Sequence, residues 1–289
     1  MGAADVVPGV SGGTVALITG IYERLISALV AADKEALILL LRGRWRTLWY
    51  RLDGPFLALL LAGILTAVFS LASGVHWLLE YYPQPLWSFF SGLILVSGIV
   101  LVQEETNVAQ RDQALLFGLG VALAVGIAIM PPASFLTGLS GLFFAGAIAI
   151  CAMILPGISG SFILLLLGMY TPVLAAVREL QVTELAVFAV GCAVGLLTFT
   201  RLLGWLLRYA RFRLMACLSG ILLGSLLTVW PWQASVGFVA GDDLHQWTRA
   251  VLPTHPLIVD PEWALCGGSF ALGVIVVWTL HRLSRHERR

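Results

Sequence analysis

Charged residues are scarce in this sequence, since Asp, Glu, Lys and Arg make up only 11% of its 289 residues. Soluble proteins have about 25% charged residues and about 45 to 50% apolar ones, whereas 59% of this chain is hydrophobic. The composition therefore excludes an ordinary water-soluble domain. The net charge is only +1 and the basic residues are spread over several loops, so the basic patch of a nucleic-acid-binding protein is also lacking.

Paired cysteines are absent as well. The four cysteines stand singly within apolar stretches and form no CxxC motif: Cys151, Cys192, Cys217 and Cys266. This spacing predicts neither a disulfide framework nor a metal site. We expect these residues to be small apolar side chains of the interior.

Long apolar runs are what the sequence has in abundance. A helix needs about 20 mainly apolar residues to cross roughly 30 Å of hydrocarbon. Two apolar regions, 1–30 and 139–177, are each interrupted by a Pro-Gly-x-Ser-Gly element. We predict an all-α polytopic membrane protein with two broken or re-entrant helical hairpins and about six full transmembrane helices. The six runs that lack this element are 55–79, 86–102, 114–130, 185–207 (interrupted by Arg201), 214–230 and 263–280.

The sequence contains an internal repeat. PGVSGGTVALITGIYE begins at Pro8 and PGISGSFILLLLGMYT begins at Pro156, a constant offset of 148 positions. Residues 57–97 also align with 185–225 without a gap, including two tryptophans at equivalent positions. We predict two repeats, 1–137 and 138–289, each made of one re-entrant hairpin and three transmembrane helices.

The basic residues predict the orientation of these repeats. Cytoplasmic loops near membrane ends are enriched in Lys and Arg. If the first broken region enters and leaves on the cytoplasmic side, most of the 17 basic residues fall inside, and only Arg178 and Arg249 fall outside. The C-terminus is then cytoplasmic, and the two repeats have opposite topology, as in many secondary transporters. The basic segments that fall inside are 31–54, 103–113, 208–213 and 281–289.

The two Pro-Gly-x-Ser-Gly elements are candidates for an anion site. The 11 residues from Gly12 to Tyr22 would form a helix about 16 Å long, which places each element near the membrane midplane. Helix N-terminal amides and hydroxyls bind anions; the alternative is that the small residues only let helices pack closely. The candidate substrate-binding residues are Pro8, Gly9, Ser11, Gly12, Gly13, Thr14, Pro156, Gly157, Ser159, Gly160, Ser161 and Arg201.

Four charged residues near these elements have two interpretations each. Arg201 lies within an apolar run, where it could bind the substrate or extend its side chain to the membrane surface. Asp5, three residues before Pro8, could be a proton-coupling carboxylate or a helix cap. Glu23 and Arg24 end the first half-helix, where they could take part in coupling or form a pair at the membrane surface.

The motifs GAADVVPGVSGGTVALITGIYERL from Gly2 and ILPGISGSFILLLLGMY from Ile154 resemble the bacterial polyprenyl-phosphate transporter family called PopT. The resemblance covers nearly the whole chain. It implies a flippase that returns undecaprenyl phosphate, a polyprenyl phosphate lipid, across the cytoplasmic (inner) membrane for recycling of this carrier in cell-wall synthesis. On this interpretation the chain is not an enzyme and has no cofactor, coupling to H+ or Na+ stays open, and so does homo-oligomerisation.

Two other functions remain open at this point. A small-anion channel or exchanger could use the same Gly-Ser-rich helix ends. An intramembrane lipid-pyrophosphate phosphatase could also carry inverted repeats and a Pro-Gly-x-Ser element. Hydrolysis needs a nucleophile or general base within hydrogen-bond reach, and the apolar runs contain no Glu-x-x-x-Glu pair.

Two further expectations concern the first residues and one loop. No basic segment precedes the first apolar residues, so we expect no removable signal peptide. The apolar arm before Pro8 is shorter than the arm before Pro156, so we expect that the native chain starts further upstream or that this arm is shorter. The stretch 232–261, with three aspartates, predicts an external loop.

Overall fold

The computed structural model describes residues 1–2, 11–106, 110–131, 136–240, 243–254 and 262–287. Gly2 packs against the backbone of Ile64 in α5. The described residues before 132 form seven helices: α1 (Gly12–Ile18), α2 (Tyr22–Val30), α3 (Lys34–Leu41), α4 (Trp45–Arg51), α5 (Gly54–Tyr81), α6 (Pro83–Glu105) and α7 (Arg111–Ile129).

The described residues after 135 form six more helices and a β-hairpin. The helices are α8 (Gly138–Ile154), α9 (Gly160–Leu166), α10 (Tyr170–Arg178), α11 (Val182–Tyr209), α12 (Arg211–Gly224) and α13 (Trp263–Glu287). A short 3-10 turn, Ser225–Leu227, follows α12. Strands β1 (Gln233–Ala240) and β2 (Asp243–Ala250) pair antiparallel.

The all-α membrane fold predicted from hydropathy is confirmed. In the described chain four helices are long and apolar enough to cross a bilayer, namely α5, α6, α7 and α11. The pairs α1–α2 and α9–α10 are each bent by more than 100° at a short break and could each count as one broken span. The protein is a polytopic membrane protein, because these helices satisfy their backbone hydrogen bonds internally while they expose apolar side chains.

One predicted full span is shorter than the apolar run that predicted it, whereas the run 263–280 lies within a longer helix, α13 (Trp263–Glu287). The run 214–230 becomes α12, which ends at Gly224, followed by the 3-10 turn. The helix ends where Ser225 turns its hydroxyl back to the carbonyl of Leu222 at 2.7 Å. The apolar part of α13 covers Trp263–Thr279.

Three helix pairs make the largest packing contacts. Helix α12 packs on α7, α13 packs on α6, and α11 packs on α8. Glycines bring the backbones together in all three pairs, since a Cβ at any of them would collide with a carbonyl oxygen of the facing helix. Small residues at such positions are typical of helix packing in membranes. These glycines are Gly92, Gly120, Gly146, Gly191, Gly220 and Gly273.

The main apolar core surrounds the two bent helix pairs. Tyr22 and Ile26 of α2 pack there with Ile163 of α9, Leu203 of α11 and Leu218 of α12, and each of the five is less than 9% exposed. Residues from both halves of the sequence therefore share one core. None of the four cysteines forms a disulfide, as the sequence predicted; Cys266 is buried and the other three are half-buried.

The segment 232–261 contains the β-hairpin, which the sequence prediction of an external loop did not include. Trp230 anchors its base, because the indole Nε1 donates to the carbonyl of Val251 at 2.8 Å. The rings of Trp232 and Trp263 lie 5.1 Å apart and connect the hairpin to the start of α13.

Candidate functional site

The two broken regions contain the same backbone break. Helices α1 and α2 meet at 116°, and helices α9 and α10 meet at 113°. Gly20 and Gly168 stand at the breaks with φ of 73° and 69°, a conformation that favours glycine. In both, the glycine amide donates to the carbonyl three residues back and the next amide donates to the carbonyl five residues back. This is the Schellman ending of a helix. The prediction of a single half-helix from Gly12 to Tyr22 is therefore wrong, because the helix ends at Ile18 after 7 residues and the chain bends at Gly20.

The hydroxyls of the first motif hold the second motif directly. Ser11, which is 1% exposed, accepts a hydrogen bond from the amide of Gly13 at 3.1 Å and donates to the carbonyl of Met153 at 3.0 Å. Thr14 is fully buried, and its Oγ1 accepts a hydrogen bond from the amide of Gly157 at 2.8 Å. A direct hydrogen bond therefore joins the two motifs that the sequence predicted to belong to one site.

The hydroxyls of the second motif bond to each other. Ser159 is the N-cap residue of α9, yet its side chain makes no capping hydrogen bond. Its Oγ lies 2.8 Å from the Oγ of Ser161, which is exposed. Pro156 and Gly157 are buried beside them. The two motifs therefore share a sequence pattern but differ in how their hydroxyls are used.

Glycines allow this close approach. A Cβ on Gly13 would lie 2.8 Å from the carbonyl oxygen of Ile154, and a Cβ on Gly160 would lie 3.1 Å from that of Ala149. Gly12 is buried next to them. The motifs thus pack against the arm of α8 that precedes Pro156 without room for a side chain.

The structure does not bring Arg201 together with the motif hydroxyls. Its side chain is exposed on α11, whereas the neighbouring Thr200 is fully buried. No hydrogen bond or ion pair joins Arg201 to another group in the described part of the chain. This geometry favours a side chain that extends to the membrane surface over one that binds the substrate, because Arg201 lies on the outer face of its helix.

Glu23 and Arg24 each form an ion pair. The guanidinium of Arg24 contacts the carboxylate of Asp53 at 2.6 Å and lies 4.4 Å from the centre of the Phe56 ring. Arg24 holds the pKa of the Asp53 carboxyl below its usual range by hydrogen bonding. Glu23 accepts a hydrogen bond from Arg211 at 2.8 Å. These contacts favour ion pairing over ligand binding, but the predicted place of the two residues is wrong, because they lie in the first turn of α2, after the break.

Sequence reasoning missed an ionic cluster around Arg211. Its guanidinium contacts Glu23 of α2 at 2.8 Å and Glu105 of α6 at 2.7 Å. Beside it, Nε2 of His281 lies 3.4 Å from Oε1 of Glu104. The sequence showed only a basic turn and an acidic helix end, 106 positions apart (211 − 105), and nothing in the pattern linked them.

Each break borders a cavity, and the two cavities differ in character. Beside Leu17 and Gly20 lies a cavity of about 300 Å³ that is lined by the polar side chains of Ser97, Glu104, Glu105 and His281. Beside the second break lies a cavity of about 360 Å³, lined mainly by apolar residues and by Glu184. Neither described cavity reaches the hydroxyls of the motifs.

Three of the predicted residues, Asp5, Pro8 and Gly9, lie outside the described residues. In the described part of the chain, no group of three or more His, Cys, Asp or Glu side chains could hold a metal ion.

The fold and the joined motifs define a class of polytopic membrane protein in which two bent helices meet through paired Pro-Gly-x-Ser-Gly elements. The sequence profile of the undecaprenyl phosphate translocase-like family matches residues 1–244. The chain belongs to this family, which confirms the resemblance predicted from the motifs.

Two relatives carry the name polyprenyl-phosphate transporter. The one from Vibrio cholerae is 44% identical over 240 residues, which cover 82% of this chain and 77% of that protein. The one from Staphylococcus aureus is 31% identical over 262 residues, which cover 80% of this chain and 83% of that protein. The family and these names are those of transporters and not of enzymes, so the expectation of a non-enzymatic protein is confirmed. No solved structure matches the chain.

Proposed function

We propose that this protein transports a polyprenyl phosphate, with undecaprenyl phosphate as the expected lipid, across the bacterial cytoplasmic membrane. It acts as a flippase that returns the carrier lipid to the inner leaflet for cell-envelope synthesis. Family membership and the names of two relatives support the substrate. The observation that carries the site is the 2.8 Å hydrogen bond between Thr14 and Gly157, which joins the two motifs inside the core.

The phosphate head is held between the two motifs, while the polyprenyl tail remains in the lipid. Backbone amides and hydroxyls are the groups that such a head requires, and hydrogen bonds to an ionised phosphate are stronger than neutral ones. A head can enter only after the motifs separate, because Gly13 already lies against the carbonyl of Ile154. Separation frees the hydroxyls of Ser11 and Thr14 from their backbone partners and presents them to the lipid.

Two inverted repeats, 1–137 and 138–289, provide the movement. The bent pairs α1–α2 and α9–α10 have identical bounds at an offset of 148, which supports the duplication. The third long helix of each proposed repeat packs on the second of the other, α7 on α12 and α13 on α6. Rocking of the repeats about the shared core would open the site to each leaflet in turn, as in other inverted-repeat transporters.

Coupling to H+ or Na+ forms part of this proposal, with Asp5 as the candidate carboxylate. Glu23 is paired with Arg211, and Arg24 is paired with Asp53. Since both are paired, we assign them to fixing the start of α2. Arg201, whose side chain is exposed on α11, is assigned to the membrane surface and not to the headgroup site.

Opposite orientation of the repeats, with a cytoplasmic C-terminus, can be tested by cysteine labelling. Helix α11 has 28 residues, about 42 Å at 1.5 Å per residue, so its two ends should lie on opposite faces of the membrane. In a variant without the four native cysteines, we expect R178C to react with an impermeant reagent from outside and R208C only from inside. Labelling of both from one side would contradict the inverted-repeat proposal.

Binding of a short-chain polyprenyl phosphate to the purified protein tests the site. We expect the Ser159→Ala/Ser161→Ala variant to bind the lipid more weakly than the wild type, whereas Thr66→Val, which removes an exposed hydroxyl that bonds only within α5, should bind it normally. Equal binding by all three proteins would overturn the site.

Inorganic phosphate as competitor distinguishes the remaining alternative. If it displaces the lipid at a similar concentration, the protein is a small-anion transporter. If displacement requires a far higher concentration, the lipid tail contributes to recognition and the lipid transporter is supported.

A further inference from the structure

The connection between the first bent helix and α5 is a separate structural element. Residues 31–53 follow α2 and contain α3 and α4, whereas only residues 179–181 join α10 to α11. The two helices turn back on each other at Gly43, whose φ is 66°. We call residues 33–51 the basic hairpin. Within the described residues, the second half of the chain has no equivalent of the basic hairpin, so duplication of the bent helices does not explain its presence.

Apolar side chains on the basic hairpin are strongly exposed. Leu41 is 78% exposed and Leu37 is 55% exposed in α3, and Trp45 of α4 is 65% exposed. No residue of α4 is buried. Such a surface is unfavourable in water, while leucine and tryptophan are typical of helices that lie in a membrane interface.

One arginine of the hairpin is committed to its fold. Arg51 contacts the carboxylate of Asp33 at 2.6 Å and that of Glu35 at 2.8 Å. Asp33 also caps α3, since it accepts a hydrogen bond from the amide of Ala36 at 3.0 Å. This amide and the guanidinium of Arg51 hold the pKa of Asp33 below its usual range. Ion pairs of Arg51 with Asp33 and Glu35 therefore join the two ends of the hairpin at its base.

The three arginines around the turn differ from Arg51 in their contacts. Arg42, Arg44 and Arg46 are exposed, and within the described residues none of them forms a hydrogen bond or an ion pair. They alternate with the exposed Leu41 and Trp45 over six residues. Positive charge and apolar surface are therefore presented side by side at one end of the hairpin.

We propose that the basic hairpin lies in the headgroup layer of the membrane and that Arg42, Arg44 and Arg46 bind the phosphates of anionic phospholipids. A guanidinium matches phosphate geometry and can bind it through two parallel hydrogen bonds. The adjoining leucine and tryptophan side chains enter the boundary between headgroups and acyl chains. An acidic soluble partner would bind the arginines but would offer no such apolar layer. This binding surface is independent of the transported lipid.

Retention of phosphatidylglycerol by the full-length protein tests the proposal. The protein is purified in mild detergent, mixed with equal amounts of phosphatidylglycerol and phosphatidylcholine, and the bound lipids are counted by native mass spectrometry. Each basic residue near an anionic surface contributes about fivefold in affinity. We expect Arg42→Gln/Arg44→Gln/Arg46→Gln to weaken phosphatidylglycerol binding at this surface by on the order of 100-fold and to leave phosphatidylcholine unchanged.

A matched control removes three other exposed arginines. Arg111→Gln/Arg178→Gln/Arg208→Gln lowers the net charge equally and should retain phosphatidylglycerol as the wild type does. Unchanged retention in the hairpin variant, or an equal loss in the control, would overturn the proposal. Displacement of the lipid by millimolar inorganic phosphate would also overturn it, because that result identifies a site for soluble phosphate.

The position of the hairpin provides a second measurement. Thr47 is exposed beside Arg46, so T47C in the cysteine-free protein can carry an environment-sensitive dye. In nanodiscs that contain phosphatidylglycerol, we expect blue-shifted emission that moves toward the red when the three arginines are replaced. Emission typical of water in both proteins would contradict placement in the headgroup layer.

Discussion

The two bent helix pairs differ in their surroundings although their backbones correspond residue by residue. Tyr22, at the first break, is 1% exposed, whereas its counterpart Tyr170 is 43% exposed. The first break borders a cavity with Glu104, Glu105 and His281, and the second borders a mainly apolar cavity. The same backbone break therefore borders cavities of different polarity, because different side chains surround each break.

The hydroxyls show the same divergence. Ser11 and Thr14 of the first motif bond to the backbone beside the second motif, while Ser159 and Ser161 bond to each other. The hydroxyls of the first motif thus make the hydrogen bonds that hold the two motifs together. The second motif retains hydroxyls that can rotate toward a ligand without breaking a contact between the halves.

The largest effect is expected when the contact between the halves is blocked. In Gly13→Ala the new Cβ meets the carbonyl of Ile154 at 2.8 Å. Overpacking of this kind costs about 1–3 kcal/mol, roughly a 5- to 150-fold change in an equilibrium constant. We expect a lower melting temperature in detergent and weaker lipid-phosphate binding.

The control is Gly126→Ala in α7, where a Cβ meets nothing within 4 Å. Since alanine is the better helix former, this variant should be as stable as the wild type or more so. Equal melting temperatures for the two variants would show that the first motif is not held by close packing.

A loss of similar size is expected for Thr14→Val, which leaves the buried amide of Gly157 without its acceptor. An unsatisfied buried donor costs about 1–3 kcal/mol. Thr200→Val is the matched control, because Thr200 is equally buried but its hydroxyl bonds only within α11. A fall in melting temperature in Thr14→Val that exceeds the fall in Thr200→Val identifies the contact between motifs; equal falls would refute it.

The ionic cluster distinguishes the first break from the second. Arg211→Gln removes two half-exposed ion pairs, to Glu23 and Glu105, and pairs of this kind contribute about 0–1 kcal/mol each. We expect a modest fall in melting temperature at low ionic strength that shrinks in about 1 M salt, where screening is strong. A fall that is independent of salt would show that Arg211 acts through packing.

The smallest effect concerns the pair between Arg24 and Asp53. Because the pKa of Asp53 is lowered in the folded protein, its stabilising contribution is present above the carboxyl's usual range and is lost as pH falls through the lowered pKa. We expect Asp53→Asn to melt slightly below the wild type at neutral pH and at the same temperature near pH 2. A difference that persists in acid would assign the effect to Asp53 itself rather than to its charge.

Much of the fold could be predicted because its signals are local. Hydropathy predicted the long helices, and the second Pro-Gly-x-Ser-Gly element predicted the interruption between α8 and α9. The bends at Gly20 and Gly168 were not predicted, because the apolar run continues through both glycines. The ends of α12 and the β-hairpin were not predicted. Apolar composition does not reveal where a helix stops when the following residues are also apolar, as in the run 214–230.

The candidate site was predicted in part. The motif pattern identified Ser11 and Thr14, but it gave no partner for either. Arg201 was nominated from its depth in an apolar run, and the structure places its side chain on an exposed face. Helix α11 is apolar around most of its circumference, so the sequence does not set its rotation about its own axis.

The sequence by itself determined that the chain is a membrane protein, that two of its apolar regions are interrupted, and which family it belongs to. These follow from composition and from the Pro-Gly-x-Ser-Gly motifs, which depend on residues close together in the chain. Only the tertiary structure decided that Thr14 meets Gly157, 143 positions away, and that Arg211 joins Glu23, 188 positions away. Such contacts depend on how whole helices rotate and pack, because many arrangements of apolar helices bury similar area and only side-chain geometry distinguishes them.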